Sequence, residues 1–320
     1  MSEIAVLGAG AFGTSLALTL SSTGAPVSLW CRDKDSAEQM RSTRQSSNRL
    51  PGFQLPPSLS IESDLSSIDA NTLLIAVPMQ SLAGFMKSAP DWAGRHLVAC
   101  CKGIDRATGR GPAATLQHAQ SDAHTAILTG PSFAADIARG LPTALTLAAE
   151  NDSVATELQN QLTRPTLRIY RSTDIIGAEL GGALKNVIAL AAGMAIGAGF
   201  GDSARAAVIA RGFSEMSRYA LAKGAQKETL QGLSGLGDLI LTCTSEKSRN
   251  FAAGLALGRG QSPDANKTIE GIATAEALAH EAETQGIDLP LTKAIHAVST
   301  GKAGVAEAVE ALLSRPSKQE

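Results

Sequence analysis

Short, wholly apolar runs alternate with helically patterned stretches through the first half of the chain, and in the second half helical periodicity alone remains. Ile4-Ala5-Val6-Leu7 is the first such run; consecutive apolar residues with no polar alternate read as a strand covered on both faces. Residues 27–30, 72–77, 96–101, 125–129, 143–148 and 166–170 read the same way. Residues 14–23 and 35–44 carry helical spacing, another helix begins near Asp152, and 48–57 is a proline-punctuated loop. Strand then helix, repeated, predicts a doubly wound, mainly parallel α/β sheet. From about Asp174 the pattern predicts helices only, over 178–198, 203–223, 246–258, 268–286, 290–299 and 304–313.

Within 178–201, at about 100° per residue, Leu180, Leu184, Val187, Leu190 and Met194 gather on one side as a core face. Lys185 lies opposite, and its neighbours at helical spacing are Gly181, Gly182, Ala189 and Ala192. Each glycine costs a helix roughly 1 kcal/mol relative to alanine, so something requires the space. Two readings are open: a closely packed helix with a snorkelling lysine, or the floor of a ligand site with Lys185 as its working group.

Gly8-Ala9-Gly10-Ala11-Phe12-Gly13 follows the first strand at once and opens a helix, the context in which GxGxxG signifies a dinucleotide site. Gly8 permits the turn, Gly10 lets the backbone approach a pyrophosphate, and Gly13 lets helix and strand pack closely. Free N–H groups at the helix start then face the phosphates. The expected fold is therefore α/β: an N-terminal Rossmann-like doubly wound domain over 1–174, followed by an all-helical C-terminal substrate and catalytic domain over 175–320. At the tip of the second strand Arg32 precedes Asp33, an order that tilts the cofactor expectation from NAD towards NADP. Lys102-Gly103 and Gly130-Pro131-Ser132 emerge at strand ends, where ligands of open α/β sheets bind; Pro131 is expected at a first helical position.

Composition narrows the field further. A net charge of −2 in 320 residues gives no basic field for nucleic acid or anionic membrane. Residues 4–20 resemble a signal-peptide core, but no Lys or Arg precedes them and glycines interrupt them. The apolar stretch 187–201 falls short of the roughly 20 residues of a membrane helix. The expectation is a cytoplasmic protein without membrane insertion. Four cysteines with no CxxC spacing suggest reduced thiols, and His96, His118, His124, His280 and His296 form no metal-ligand cluster.

Gly232-Leu233-Ser234-Gly235-Leu236-Gly237-Asp238, with Thr242 one helical turn on, and Ser248-Arg249-Asn250 complete the set of polar clusters. Together with the glycine turn, Lys102-Gly103, Gly130-Pro131-Ser132-Phe133-Ala134 and Glu179-Leu180…Leu184-Lys185-Asn186, they resemble the NAD(P)-dependent glycerol-3-phosphate dehydrogenases of bacterial type, in order from about residue 4 to 290. The resemblance implies reversible reduction of dihydroxyacetone phosphate to sn-glycerol 3-phosphate, for glycerophospholipid synthesis, by a homodimer. It implies a catalytic set of Lys185, Asp238 and Lys102, with Lys185 as acid/base. Substrate contacts would come from Lys102, Gly130, Ser132, Lys185, Asp238, Thr242, Ser248, Arg249 and Asn250. Cofactor contacts would come from Gly8, Gly10, Ala11, Phe12, Gly13, Arg32, Lys102, Ala134, Arg249 and Glu270. Ser203 stands where the family commonly has asparagine, and Ala210 where threonine is usual. Burial beside Lys102 and Arg249 would let the amine act as a base, with Asp238 opposing the shift and orienting it. Two rivals share part of this pattern. A two-domain hydroxy-acid dehydrogenase would lack use for the Ser-Arg-Asn cluster, and a module that senses NADPH without turnover would leave Lys185 and Asp238 idle.

Overall fold

A computed structural model describes residues 3–264 and 269–313. It divides into two compact units, residues up to Lys102 with Gly111–Glu179, and Gly103–Arg110 with the chain from Leu180 onward.

The first unit holds β1 (Ile4–Leu7), α1 (Ala11–Ser21), β2 (Val27–Trp30), α2 (Lys34–Thr43), β3 (Leu59–Glu62), β4 (Thr72–Ile75), α3 (Met79–Lys87), β5 (His96–Ala99), α4 (Pro112–Ala119), β6 (His124–Thr129), α5 (Ala134–Ala138), β7 (Thr143–Ala149), α6 (Asp152–Leu162) and β8 (Leu167–Ser172). One eight-stranded sheet runs β3-β2-β1-β4-β5-β6-β7-β8. Every neighbouring pair is parallel except β6 with β7. The period-2 alternation of each strand sends Val6, Leu29, Leu74 and Val98 to one face against Leu16, Leu20, Met40 and Leu158. Ala5, Leu7, Ile75 and Leu97 go to the other face against Met79, Leu82 and Leu116. Helices thus cover both faces, as the apolar runs require.

The pattern reading did not delimit α3 and α4, and it differs from the structure at two further elements. β3 was not expected, because an edge strand with Ser60 and Glu62 at alternate positions carries little apolar signal. The helix after β6 begins at Ala134 with Phe133 extended at its N-cap, so Pro131 does not occupy a first helical position. The intervening residues form a turn in which Ser132 Oγ donates to the Gly130 carbonyl.

Helix α7 (Ile175–Gly197) contains the division between the units. In the second unit follow α8 (Gly201–Ala222), α9 (Lys227–Gln231), a π turn over Leu233–Gly237, α10 (Asp238–Cys243), α11 (Arg249–Gly258), α12 (Glu270–Gln285), α13 (Pro290–Ser299) and α14 (Val305–Leu313). The start of the helix expected over 268–286 lies outside the described residues. By length and composition α7 could cross a membrane, since it is apolar from Ile175 rather than from residue 187. However, 89% of its apolar window is buried within the protein, so it reads as a core helix.

The bulky side of α7 enters the helical core as expected, with Leu180, Leu184, Val187, Leu190 and Met194 all buried. Glycines along this helix give their space to neighbouring backbone. A Cβ on Gly193 would overlap the Phe251 carbonyl oxygen, and one on Gly197 the Leu255 carbonyl. Reciprocally, Cβ atoms on Gly254 and Gly258 would strike the Leu190 and Met194 carbonyls. A Cβ on Gly181 would lie 2.8 Å from the Ser234 carbonyl oxygen. The missing side chains let α11 and the π turn approach the α7 backbone directly, which is why helix stability is sacrificed there.

Gly193→Ala is therefore expected to lower stability by about 1–3 kcal/mol through overpacking. Gly84→Ala, in α3 with open space at its Cβ, is expected to be neutral or to stabilise by up to about 1 kcal/mol. Thermal melts followed by circular dichroism check both, and equal Tm values for the two variants would contradict the packing account.

Candidate active site

In the first unit the turn after β1 is shaped by its glycines. Gly8 has φ of +124°, and a Cβ there would sit 2.7 Å from the Ala76 carbonyl oxygen. A Cβ on Gly13 would overlap the Gly8 carbonyl, so its absence sets α1 down on the end of β1. At Gly10 a Cβ would meet nothing within 4 Å, which leaves the backbone open to a ligand. Gly10 is also the N-cap of α1, with no side-chain cap and no acidic residue in the first turn. The N–H groups of that turn, which begins at Ala11 and Phe12, are thus available to an anion. These features fit a dinucleotide pyrophosphate.

At the tip of β2, Asp33 is committed elsewhere: its carboxylate caps α2 by accepting from Ser36 N at 2.7 Å. Those Ser36 hydrogen bonds hold its pKa below the usual aspartate value. Arg32 is exposed beside it. A carboxylate engaged as a helix cap is a poor ribose ligand, so this arrangement suits a 2′-phosphate.

Further along the same sheet, Lys102 Nζ donates to the Gly130 carbonyl at 3.0 Å, and Ser132 Oγ donates to that carbonyl at 3.1 Å. Gly130 has φ of +138°, and a Cβ there would press on Leu145, which makes this position specific for glycine. Lys102, Gly130 and Ser132 thus form one cluster, with Ala134 opening α5 immediately after it.

The second unit contains the amine. Lys185 is 6% exposed, and its Nζ lies 2.7 Å from both Asp238 Oδ1 and Thr242 Oγ1. Thr242 Oγ1 is also 3.3 Å from Asp238 Oδ1. The π turn ends at Asp238, and the i,i+4 spacing on α10 stacks Thr242 over it. Lys185 therefore neither snorkels nor packs against methyl groups; it sits in a buried polar triad. The same charges face Cys243, whose thiol burial pushes up to about 12.

Ser248, Arg249, Asn250 and Glu270 occupy two helix starts. Ser248 Oγ caps α11 by accepting from Phe251 N. Arg249 follows in the first turn, exposed. A cation there opposes the helix dipole, and the pair of positive features favours an anion. Asn250, a substrate contact by the family resemblance, donates one of its two Nδ2 hydrogens to Asn186 Oδ1 and accepts at Oδ1 from Gly271 N. Glu270 is buried in the first turn of α12. Ser203 and Ala210, the two departures from the family pattern, are exposed on α8.

Pattern reading missed two polar devices. One is the Asn186–Asn250 pair, whose only signal was an asparagine inside an apolar helix. The other is Glu179, whose carboxylate accepts from Ala113 N at 2.7 Å and caps α4, where Gly111 offers no side chain. A Cβ on Gly111 would overlap that carboxylate. Among the described residues no cluster of three or more His, Cys, Asp or Glu could hold a metal ion.

A mainly parallel sheet in this strand order, with its glycine turn at the first βα junction, and a buried lysine–aspartate pair in a helical unit define an NAD(P)-dependent dehydrogenase. Family models for the N-terminus and the C-terminus of NAD-dependent glycerol-3-phosphate dehydrogenase match residues 3–155 and 174–310. The chain belongs to that family. It is 53% identical to a glycerol-3-phosphate dehydrogenase (NAD(P)+) of Ruegeria sp., over 99% of this chain and all of that one. It is 54% identical, with the same coverage, to the enzyme of that name from Paracoccus denitrificans. The crystal structure of glycerol-3-phosphate dehydrogenase from Coxiella burnetii superposes with a TM-score of 0.91 at 35% identity, covering 98% of each chain.

Two outcomes follow from the geometry. Arg32→Ala is expected to raise KM for NADPH about tenfold, one lost charge-assisted contact, while KM for NADH moves less than about twofold. Steady-state kinetics with each cofactor measure this, and parallel changes would remove Arg32 from the 2′-phosphate. Burial raises the Glu179 carboxyl from 4.5 to about 7, partly offset by the Ala113 N–H. Its folded pKa lies above the unfolded value, so the folded state holds the proton more tightly and stability falls as pH rises through that interval. Glu179→Gln should flatten that slope in urea titrations at pH 5, 6 and 7.5; an unchanged slope would contradict the assignment.

Proposed function

We propose that this chain catalyses the reversible reduction of dihydroxyacetone phosphate to sn-glycerol 3-phosphate, with residues 1–174 supplying most of the cofactor contacts and residues 175–320 supplying the phosphate contact and the proton. When bound, the nicotinamide supplies or accepts the hydride. The chain's own residues handle the remaining proton and charge. In the reducing direction Lys185 donates a proton from Nζ to the oxygen at C2 as alkoxide charge develops there; in the oxidising direction it takes that proton back. Asp238 and Thr242 fix the direction of the amine, and Asp238 compensates its charge in a site with little water. Arg249, with the start of α11 behind it, binds the phosphate, the kind of anion for which a guanidinium is suited. Lys102, Gly130 and Ser132 contact the substrate's polar end, while the turn from Gly8 to Gly13, Arg32, Ala134 and Glu270 contact the dinucleotide.

The observation that carries this reading is the buried amine held 2.7 Å from both a carboxylate and a hydroxyl. A structural lysine of the helical core would be replaceable by leucine at less desolvation cost, so retention of the charged pair points to chemistry. NADP is the favoured cofactor because Asp33 is spent as a cap. We place the protein in the cytoplasm as a homodimer supplying glycerophospholipid synthesis; Phe200, Leu221 and Ile240, large apolar residues exposed on the helical unit, are surface that assembly would cover.

The test follows NADPH absorbance with dihydroxyacetone phosphate, then with 2-keto acids, and repeats both with Lys185→Ala. The unaltered protein is expected to turn over the triose phosphate and not the keto acids. Lys185→Ala should lower kcat by about 10²–10⁴-fold, the usual worth of a general acid–base, with NADPH binding by fluorescence retained. Turnover of keto acids alone would sink the substrate assignment, and undiminished kcat in Lys185→Ala would sink the mechanism.

A further inference from the structure

Lys185, Arg249 and Glu270, to which the proposed function gives work, stand on three separate helices, α7, α11 and α12. Each has its chain neighbour in one buried hydrogen-bonded ladder. Asn250 Nδ2 donates to Asn186 Oδ1 at 2.9 Å, and the Gly271 N–H donates to Asn250 Oδ1 at 2.9 Å. Asn186 follows Lys185, Asn250 follows Arg249, and Gly271 follows Glu270. The two asparagines are 4% and 8% exposed, so neither amide is satisfied mainly by water. A Cβ on Gly271 would sit 2.5 Å from the Asn186 carbonyl oxygen and 2.7 Å from Leu190 Cδ1. The first turn of α12 therefore reaches the α7 backbone at a distance only glycine permits, and the ladder crosses α11 between them.

Two facts distinguish this ladder from filler. A buried amide costs free energy unless its groups are paired, and a leucine would fill the same volume without that cost. Amide pairs are also directional, so they accept one relative placement of α7 and α11, where apolar side chains accept a range. Neither asparagine titrates, so the placement does not depend on the protonation of either amide. What the ladder fixes is the separation of the residue beside each amide, that is, of the proton donor from the anion-binding guanidinium.

We propose that Asn186 is a positioning residue for the reaction: through Asn250 it sets Arg249 in place relative to Lys185, so that one substrate molecule can meet both. This rests on the reading of Arg249 as the phosphate contact and of Lys185 as the acid/base. It gives Asn250 a role inside the protein, through its neighbours.

The experiment is a double-mutant cycle on the full chain, with saturating NADPH and varied dihydroxyacetone phosphate, alongside thermal melts. Arg249→Ala alone is expected to raise KM for the triose phosphate about a hundredfold, the loss of one charge-assisted phosphate contact. Asn186→Ala is expected to raise the same KM about tenfold in the unaltered background and less than about twofold in the Arg249→Ala background, because the two act on one interaction. If Asn186→Ala fails to fold, Asn186→Gln, which displaces the amide by one methylene, takes its place in the cycle with the same expectation. Factors that multiply in full, or a lowered Tm with KM unmoved, would overturn the positioning role and leave the function standing. An unchanged KM in Arg249→Ala would instead overturn the phosphate reading, and this inference with it.

Discussion

The second unit depends on burying an ammonium and a carboxylate side by side. Removing two charges from water costs several kcal/mol each, which only close pairing and further hydrogen bonds offset. Lys185 and Asp238 meet that condition at 2.7 Å, with Thr242 bonded to both. The pair in turn dictates what surrounds it. Asp238 must come to the side of α7 on which Lys185 stands, so the segment carrying it must approach that helix closely. Gly181 makes the approach possible, since a Cβ there would meet the backbone of Ser234 and Gly235, and the π turn over Leu233–Gly237 leads directly into Asp238.

The same economy runs along the rest of α7. Gly193 and Gly197 face Gly254 and Gly258, so α7 and α11 touch backbone to backbone. Two helices at that separation hold the side chains at their surfaces in tight register. The asparagine ladder then fixes the axial position, and Ser248 fixes where α11 begins. In the first unit glycine does comparable work for a different partner. Gly8 and Gly13 remove volume so that β1 and α1 can close on each other, and Gly10 removes volume facing outward, where nothing of the protein stands. One residue type serves packing in two places and leaves room for a ligand in the third.

A carboxylate borrowed from another element recurs in both units. Glu179 caps α4, and Glu215 accepts from Leu291 N and Thr292 N at the start of α13. Both carboxyls are raised by burial, and both hold down helix starts that lack a capping side chain of their own. Such long-range caps tie helices that the apolar pattern alone would leave free to slide.

Much of the fold was legible along the chain, because strand and helix periods are local properties. The apolar runs at 4–7 and 27–30 became strands with those bounds, and the core face of α7 was correctly read from spacing. The glycine turn was readable because its context, strand before and helix after, is also local. β3 escaped because edge strands need only half an apolar pattern. The small-residue side of α7 left two readings open, because spacing shows that volume is missing and not what fills it. Residue order by itself determined the sheet-then-helices plan and the turn suited to a dinucleotide, and it singled out the Lys185 amine. Only the tertiary structure decided that Asp238 and Thr242 meet that amine from more than fifty positions away, that Asp33 is spent on a cap, and that Asn250 bonds inward. The reason is physical: each is settled by a directional bond between groups distant in the chain, and no periodicity encodes the partner of such a bond.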